Sequence, residues 1–360
     1  MSLWVDRHRP TSLDRLDYHP DLTHQLKKMS NSSDFPHMLV YGPSGAGKKT
    51  RIMAVLKELY GPSVEKLKID MRTFTTPSNR KIEINIVSSN YHMEITPRFG
   101  DNEIPVFSDV GSQDRLVIQE LIKEVAQTQQ VDSSAKRAFK VVILNEADSL
   151  SKDAQHALRR TMEKYMNNLR VILCTNSTSR IIGPIRSRCL LVRVAAPSAD
   201  EITTVLTKVG IKEDFSIPHE FALKIAEKSN GNLRRALLML ESAKVKQMSF
   251  ASQIPLTDWE NYISETARAI VAEQTPKKLQ EIRGRLYELL THCIAPEIIL
   301  KTLLFDIVKL VDVTIVPEII RIAADYEQSM RQGTKPIFHL EAFVAKFMAI
   351  YKRFLFELMN

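Results

Sequence analysis

The sequence predicts a mostly parallel α/β domain followed by two helical ones, and three observations carry that prediction. A glycine-rich turn, Gly42-Pro43-Ser44-Gly45-Ala46-Gly47-Lys48-Lys49-Thr50, lies between an apolar run, Met38 to Tyr41, and a helical one, Ile52 to Leu56. Short β-rich runs alternate with helical patterns from about residue 36 to residue 194. From there on, the apolar residues recur at helical spacing.

The turn comes first because it carries chemistry. A strand, a glycine-rich turn and a helix start form a phosphate cradle. Backbone N–H groups wrap a triphosphate, the helix N-terminus adds positive potential, and Lys48 can reach the β and γ phosphates. The chain is therefore expected to bind a nucleotide. The next residue, where a Ser or Thr hydroxyl normally holds Mg²⁺, is Lys49, so the strict motif fails by one position.

The remaining strands of this domain are expected at Ile82 to Val87, Val141 to Leu144, Val171 to Cys174 and Leu190 to Val194. Ala195-Ala196-Pro197-Ser198-Ala199-Asp200 interrupts the pattern and supplies a helix cap. Three short helices follow: Glu201 to Val209, Phe221 to Lys228 and Leu233 to Val245. Beyond Gln253-Ile254-Pro255, helical spacing runs through Leu279 to Leu290, Ile298 to Val311 and Leu340 to Leu355. The last stretch has a face broad enough both for the core of its own bundle and for a subunit contact. The expected domains are residues 1–195, 196–250 and 251–360.

Composition narrows the class. With 50 Lys and Arg against 42 Asp and Glu, the net charge of +8 mildly favours a polyanionic partner. Cys174, Cys189 and Cys293 are widely spaced and make no metal-ligand pattern, which fits a reducing compartment without disulfides. His37, His92, His292 and His339 show no ligand spacing, so no metal site is expected from protein ligands alone. The N-terminus lacks an apolar signal core, and no run approaches the length of a bilayer span. A cytosolic or nuclear protein is expected.

A second nucleotide feature lies about one hundred residues after the turn, where Val141 to Leu144 delivers Asn145-Glu146-Ala147-Asp148. In P-loop ATPases the Asp ending this strand helps hold Mg²⁺, and the next carboxylate, here Glu146, polarises the attacking water. Asn145 keeps an oxygen but lacks the charge of a good Mg²⁺ ligand. Together with Lys49 it suggests a site that binds nucleotide and hydrolyses it poorly. The plainer reading of Asn145 is an ordinary strand-end residue.

The order of further motifs is specific. Asn176 follows Val171 to Thr175, Ser187-Arg188-Cys189 precedes the last strand, and Gly231-Asn232-Leu233-Arg234-Arg235-Ala236-Leu237 lies in the second domain. This resembles the AAA+ ATPases, and implies a RecA-like sheet domain, a helical lid and a C-terminal helical collar. Trp4-Val5-Asp6-Arg7-His8-Arg9-Pro10 and the run from Lys152 to Tyr165 are similar to the small subunits of replication factor C, the eukaryotic sliding-clamp loader.

The resemblance implies roles for particular residues. Val5, Arg9 and Asp17 would join residues 42–50, Asn145, the first sensor Asn176 and the second sensor Arg234 around ATP or ADP, with Mg²⁺ weakly held or absent. Arg235 is a near-equal candidate for the second sensor by sequence alone. Arg188 would be an arginine finger acting on a neighbouring subunit's nucleotide. Arg115 and Lys152, near the starts of two expected helices, would follow DNA phosphates without reading bases. Implied partners are the other subunits of a heteropentamer, the sliding clamp and primer-template DNA, in the nucleus, for replication and repair. An autonomous AAA+ ATPase motor and a scaffold that has lost nucleotide are the alternatives. Residues 98–107 depart from the family pattern, which passes almost directly from Ile95-Thr96-Pro97 to Ser108.

Overall fold

The computed structural model describes residues 2–32, 34–75, 81–96, 115, 120–123, 125, 139–245, 257–333 and 335–359. The insertion at 98–107 lies outside the described residues. The chain divides into two units, Met1–Ile254 and Pro255–Asn360.

In the first unit, β1 (Met38–Tyr41), β2 (Lys68–Thr75), β3 (Lys81–Ser88), β4 (His92–Ile95), β5 (Lys140–Leu144), β6 (Leu169–Thr175) and β7 (Leu190–Arg193) form one sheet. Its order is β2-β3-β4-β5-β6-β1-β7. The strands from β4 to β7 in that order are all parallel, whereas β3 is antiparallel to both of its neighbours. Strands covered on both faces read as unbroken apolar runs, and Val141 to Leu144 is buried at every position.

The five expected strands are present, and β2 and β4 are additions. The expectation missed β2 because Ile69 and Met71, both exposed, alternate with polar residues and give no apolar run. It missed β4 because His92 and Glu94 break its apolar pattern, although both are buried.

Helix α1 (Trp4–Arg7) and α2 (Pro20–Asn31) precede the sheet; α3 (Lys48–Tyr60) follows β1 directly, and α4 (Lys152–Lys164) and α5 (Gly183–Arg186) come later. The small helical part is α6 (Ala199–Lys212), α7 (His219–Lys228) and α8 (Leu233–Val245). Ser198 and Glu201 close a reciprocal capping box at the start of α6. Trp4 is buried in the core of these three helices, with its backbone N–H on Glu241 at 3.2 Å, and Arg7 and His8 both reach Glu213. The N-terminal segment is thereby fastened to the helical part.

The second unit is all helical: α9 (Asp258–Ala272), α10 (Pro276–Thr291), α11 (Pro296–Val308), α12 (Val316–Gln332) and α13 (Pro336–Met359). Leu340, Phe343, Val344 and Phe347 of α13 are buried in its core, while Leu355 and Phe356 near its end are exposed. No described helix is long and apolar enough to cross a membrane. The three cysteines are free, and burial pushes the Cys174 thiol up to about 11 and that of Cys189 to about 12.

Candidate nucleotide site

The site lies where β1, β5 and β6 end, at the carboxyl edge of the parallel strands. The turn after β1 needs its glycines. Gly42 has φ +155°, and a Cβ there would meet the Val194 carbonyl oxygen at 1.9 Å. Gly47 has φ +82° and abuts the Tyr18 hydroxyl, which donates to the Ala46 carbonyl at 2.9 Å. Arg51, buried beneath, donates to the Tyr18 carbonyl at 2.6 Å and lies 4.8 Å from that ring's centre. Burial pushes the Tyr18 phenol above its ordinary value. Tyr18 and Arg51 thus brace the turn from behind, a role no motif announces.

Lys48 begins α3, and its ammonium donates to the carbonyls of Gly42 at 2.7 Å and Pro43 at 2.9 Å and to Asn176 Oδ1 at 2.9 Å. Burial lowers its pKa, and the nearby Arg234 guanidinium acts in the same direction. A phosphate presented here would meet a desolvated cation whose three donors are already aimed into the turn.

Lys49 has a different partner. Its ammonium pairs with Oε1 of Glu94, a β4 carboxylate whose side chain is only 5% exposed. The same oxygen accepts from Asn145 Nδ2 at 2.5 Å, and Asn145 Nδ2 also lies 3.4 Å from Thr96 Oγ1. An ionised carboxylate only accepts, so the amide must turn its NH₂ towards Glu94. Mg²⁺ takes oxygen ligands in near-octahedral geometry. Where a P-loop site usually offers a hydroxyl and a carboxylate, this one has an ammonium and a neutral amide whose NH₂ is committed to Glu94, and that set lacks the charged oxygen ligand that favours Mg²⁺.

Around these residues is a cleft of about 780 Å³. Ser44, Gly45, Gly47, Lys48, Lys49, Thr50, Asn145, Glu146 and Asn176 line its floor, while Val5, Arg9 and Asp17 line it from the N-terminal segment. Gly42, Pro43 and Ala46 are not in the lining; they offer their carbonyls to Lys48 and Tyr18 behind it. Lys208, Lys212 and Arg234 face the cleft from α6 and α8, and Asp17 pairs with Lys208 across it. Arg7, Arg9, Arg15, Lys48, Lys49, Lys208, Lys212 and Arg234 stand against Asp17 and Glu146 alone among the acidic side chains of the lining. That imbalance suits a polyanion of nucleotide size. Tyr18, Thr96, Lys208 and Lys212 were not foreseen from the motifs.

Residues 18–198 match the family described as "DNA polymerase III, delta subunit", residues 204–245 the "RCF1/5-like, AAA+ ATPase lid domain", and residues 259–355 the "Replication factor C subunit 3, C-terminal domain". The chain is 58% identical to replication factor C subunit 3 of Mus musculus and 57% to that of Homo sapiens, in both cases across 99% of this chain and 98% of the relative. It is 57% identical to replication factor C subunit 5 of Neurospora crassa, across 99% of each. The chain belongs to the replication factor C subunit 3/5 family. As a replication factor C subunit it has an AAA+ domain with a parallel sheet, a lid domain and a C-terminal domain of that family. A Thermotoga maritima RuvB structure overlays on 77% of this chain and 85% of its own at 17% identity and a TM-score of 0.48, too loose a likeness to add to that assignment.

The other residues singled out in this replication factor C subunit are dispersed. Arg234 lines the cleft and Arg235 does not. Arg188 stands away from the cleft lining, with Nε 2.7 Å from Glu163 Oε1 and Nη1 donating to the Pro184 carbonyl at 2.8 Å. Within its own chain it is an exposed, ion-paired arginine. Lys152 is the first residue of α4, exposed, behind a helix capped by Ser151. Arg115 is helical and exposed, but the residues on either side of it lie outside the described ones.

Proposed function

We propose that this replication factor C subunit holds ATP or ADP mainly as a structural ligand within a heteropentameric clamp loader, and lends Arg188 to the nucleotide site of a neighbouring subunit. One observation carries the first half: an intact phosphate cradle stands beside a metal position rebuilt from Lys49, Glu94 and Asn145. Residues 42–50, Asn176 and Arg234, with Val5, Arg9 and Asp17 from the N-terminal segment, would hold the nucleotide. Glu146 keeps the place of a water-polarising carboxylate but lacks a metal-bound phosphate to work with.

The relatives are named as replication factor C subunits, and clamp loading comes to this chain through that kinship. The assembled complex opens a ring clamp with ATP, closes it on primer-template DNA and hydrolyses ATP to leave, in the nucleus. Differential affinity for clamp and DNA in the nucleotide-bound state is what drives such a cycle. Lys152 and Arg115 contact DNA phosphates regardless of sequence, so binding weakens as salt rises. The domain limits 1–195, 196–250 and 251–360 belong to this reading.

The test compares turnover of the unmodified subunit with that of Lys49→Thr combined with Asn145→Asp, alongside chromatography of the nucleotides released on denaturing the purified complex. A restored variant that hydrolyses at least about tenfold faster, with adenine nucleotide recovered from the unmodified subunit, supports the reading. Equal turnover makes the chain an autonomous ATPase, and absence of bound or bindable nucleotide makes it a scaffold.

A further inference from the structure

Glu94 is the key to the rebuilt corner. A carboxylate in the interior is costly unless it is both paired and hydrogen-bonded. Glu94 meets both conditions on one oxygen, through the Lys49 ammonium and the Asn145 amide. The two positions that depart from the strict nucleotide motif are therefore tied to each other through a third residue that the motif does not include. A simple loss of function at Lys49 and Asn145 would not require that linkage.

Position completes the case. Lys49 lies on the first turn of α3, lines the cleft next to Lys48, and keeps nearly half of its side chain exposed. Its ammonium is held by Glu94 at the edge of that cleft.

We propose that the Lys49 ammonium, oriented by Glu94 and Asn145, is a resident cation that takes the place of Mg²⁺ at the nucleotide's phosphates, so that this subunit binds ADP and ATP without a divalent ion. The proposal rests on the nucleotide-binding reading above and deepens it. A tethered ammonium neutralises phosphate charge and donates up to three hydrogen bonds, but it has no coordination positions with which to fix two phosphate oxygens and a water together. Retention without cutting follows from that difference. A chelator, which strips the metal from an ordinary site, removes nothing here.

The test is calorimetric titration of ADP and of ATP into the full-length chain, in Mg²⁺ and in EDTA. Dissociation constants that agree within about twofold between the two buffers support the proposal. Lys49→Met keeps the aliphatic stem and removes the charge; it is expected to weaken binding roughly tenfold or more in EDTA, the scale of one charge-assisted hydrogen bond. Lys49→Thr with Asn145→Asp is expected to bind tightly in Mg²⁺ and at least about tenfold more weakly in EDTA. Tight binding by the unmodified chain that collapses in EDTA overturns the resident-cation proposal and leaves the nucleotide reading standing. So does Lys49→Met binding in EDTA as well as the unmodified chain. Binding to neither nucleotide in either buffer overturns both. The comparison on the unmodified chain requires no variant to fold.

Discussion

The Lys48 ammonium donates to Asn176 Oδ1 at 2.9 Å, joining the start of α3 to the residue that follows β6. The two side chains lie on neighbouring strand ends because β6 and β1 pair in parallel, with Val40 opposite Cys174. Asn176→Ala removes the side-chain acceptor of this buried ammonium while leaving its two carbonyl acceptors. The expected result is a loss of about 1 to 3 kcal/mol in stability without nucleotide, together with weaker ADP binding. Denaturant unfolding and calorimetry read the two effects.

Gly42 bears on the same loop. Its φ of +155° is disfavoured for any side chain, and an added Cβ would drive into the Val194 carbonyl. Since that carbonyl belongs to backbone just past β7, it cannot swing aside as a side-chain tip would. Gly42→Ala is expected to destabilise the first unit by more than about 2 kcal/mol and to abolish nucleotide binding, as seen by melting and by titration with ADP.

How far the sequence could be read depended on how local each signal was. The turn from Gly42 to Thr50 is contiguous, so its place between β1 and α3 followed directly from patterning. Lys49 and Asn145 were each visible as departures because the motif fixes their positions. Glu94 was not, for it is 51 residues from Asn145 and meets it only because β4 lies beside β5 in the sheet. Its strand, His92-Met93-Glu94-Ile95, hides two buried polar residues in four and gives no apolar run. Helices α9 and α12 escaped for a related reason: small residues such as Ala267 and Ala323 share their buried stripes with isoleucine and dilute the periodicity. Tyr18 and Arg51 support the loop through contacts 33 residues apart, which no single-sequence motif encodes.

His37 offers a pH test. Its Nδ1 accepts the Val171 N–H at 3.0 Å between β1 and β6, and burial, with help from the nearby Arg170 charge, lowers its pKa from 6.5 to about 4. The folded state therefore resists protonation that the unfolded chain accepts. Stability from this group is fully present above about pH 6.5, falls progressively as the pH drops towards 4, and is level below that. The loss is on the order of 3 kcal/mol, because each tenfold change in proton affinity is worth about 1.36 kcal/mol. Trp4 reports the first unit if Trp259 is replaced by Phe, so fluorescence-monitored urea unfolding at several pH values can follow that unit alone. His37→Gln is expected to flatten the slope over this range. His92, similarly lowered to about 4 by burial, adds its own share and should persist in that variant.

Arg188 provides the sharpest distinction between a structural and a lent residue. Its ion pair with Glu163 is partly solvated, with side-chain exposures of 38% and 45%, and pairs of that kind contribute about 0 to 1 kcal/mol. Arg188→Ala should therefore leave the melting temperature of the chain nearly unchanged. Because Arg188 lies off its own cleft, nucleotide occupancy of this subunit should be unchanged as well. In the reconstituted complex, however, removing a finger that neutralises charge on a neighbour's transferring phosphoryl group is expected to slow that site on the order of a thousandfold, which single-turnover measurements resolve. Glu163→Gln serves as the control, since it breaks the ion pair within the chain and leaves the guanidinium in place. A complex in which both substitutions lower the ATPase equally would assign Arg188 to the fold of its own subunit, whereas loss confined to Arg188→Ala places its action across the boundary.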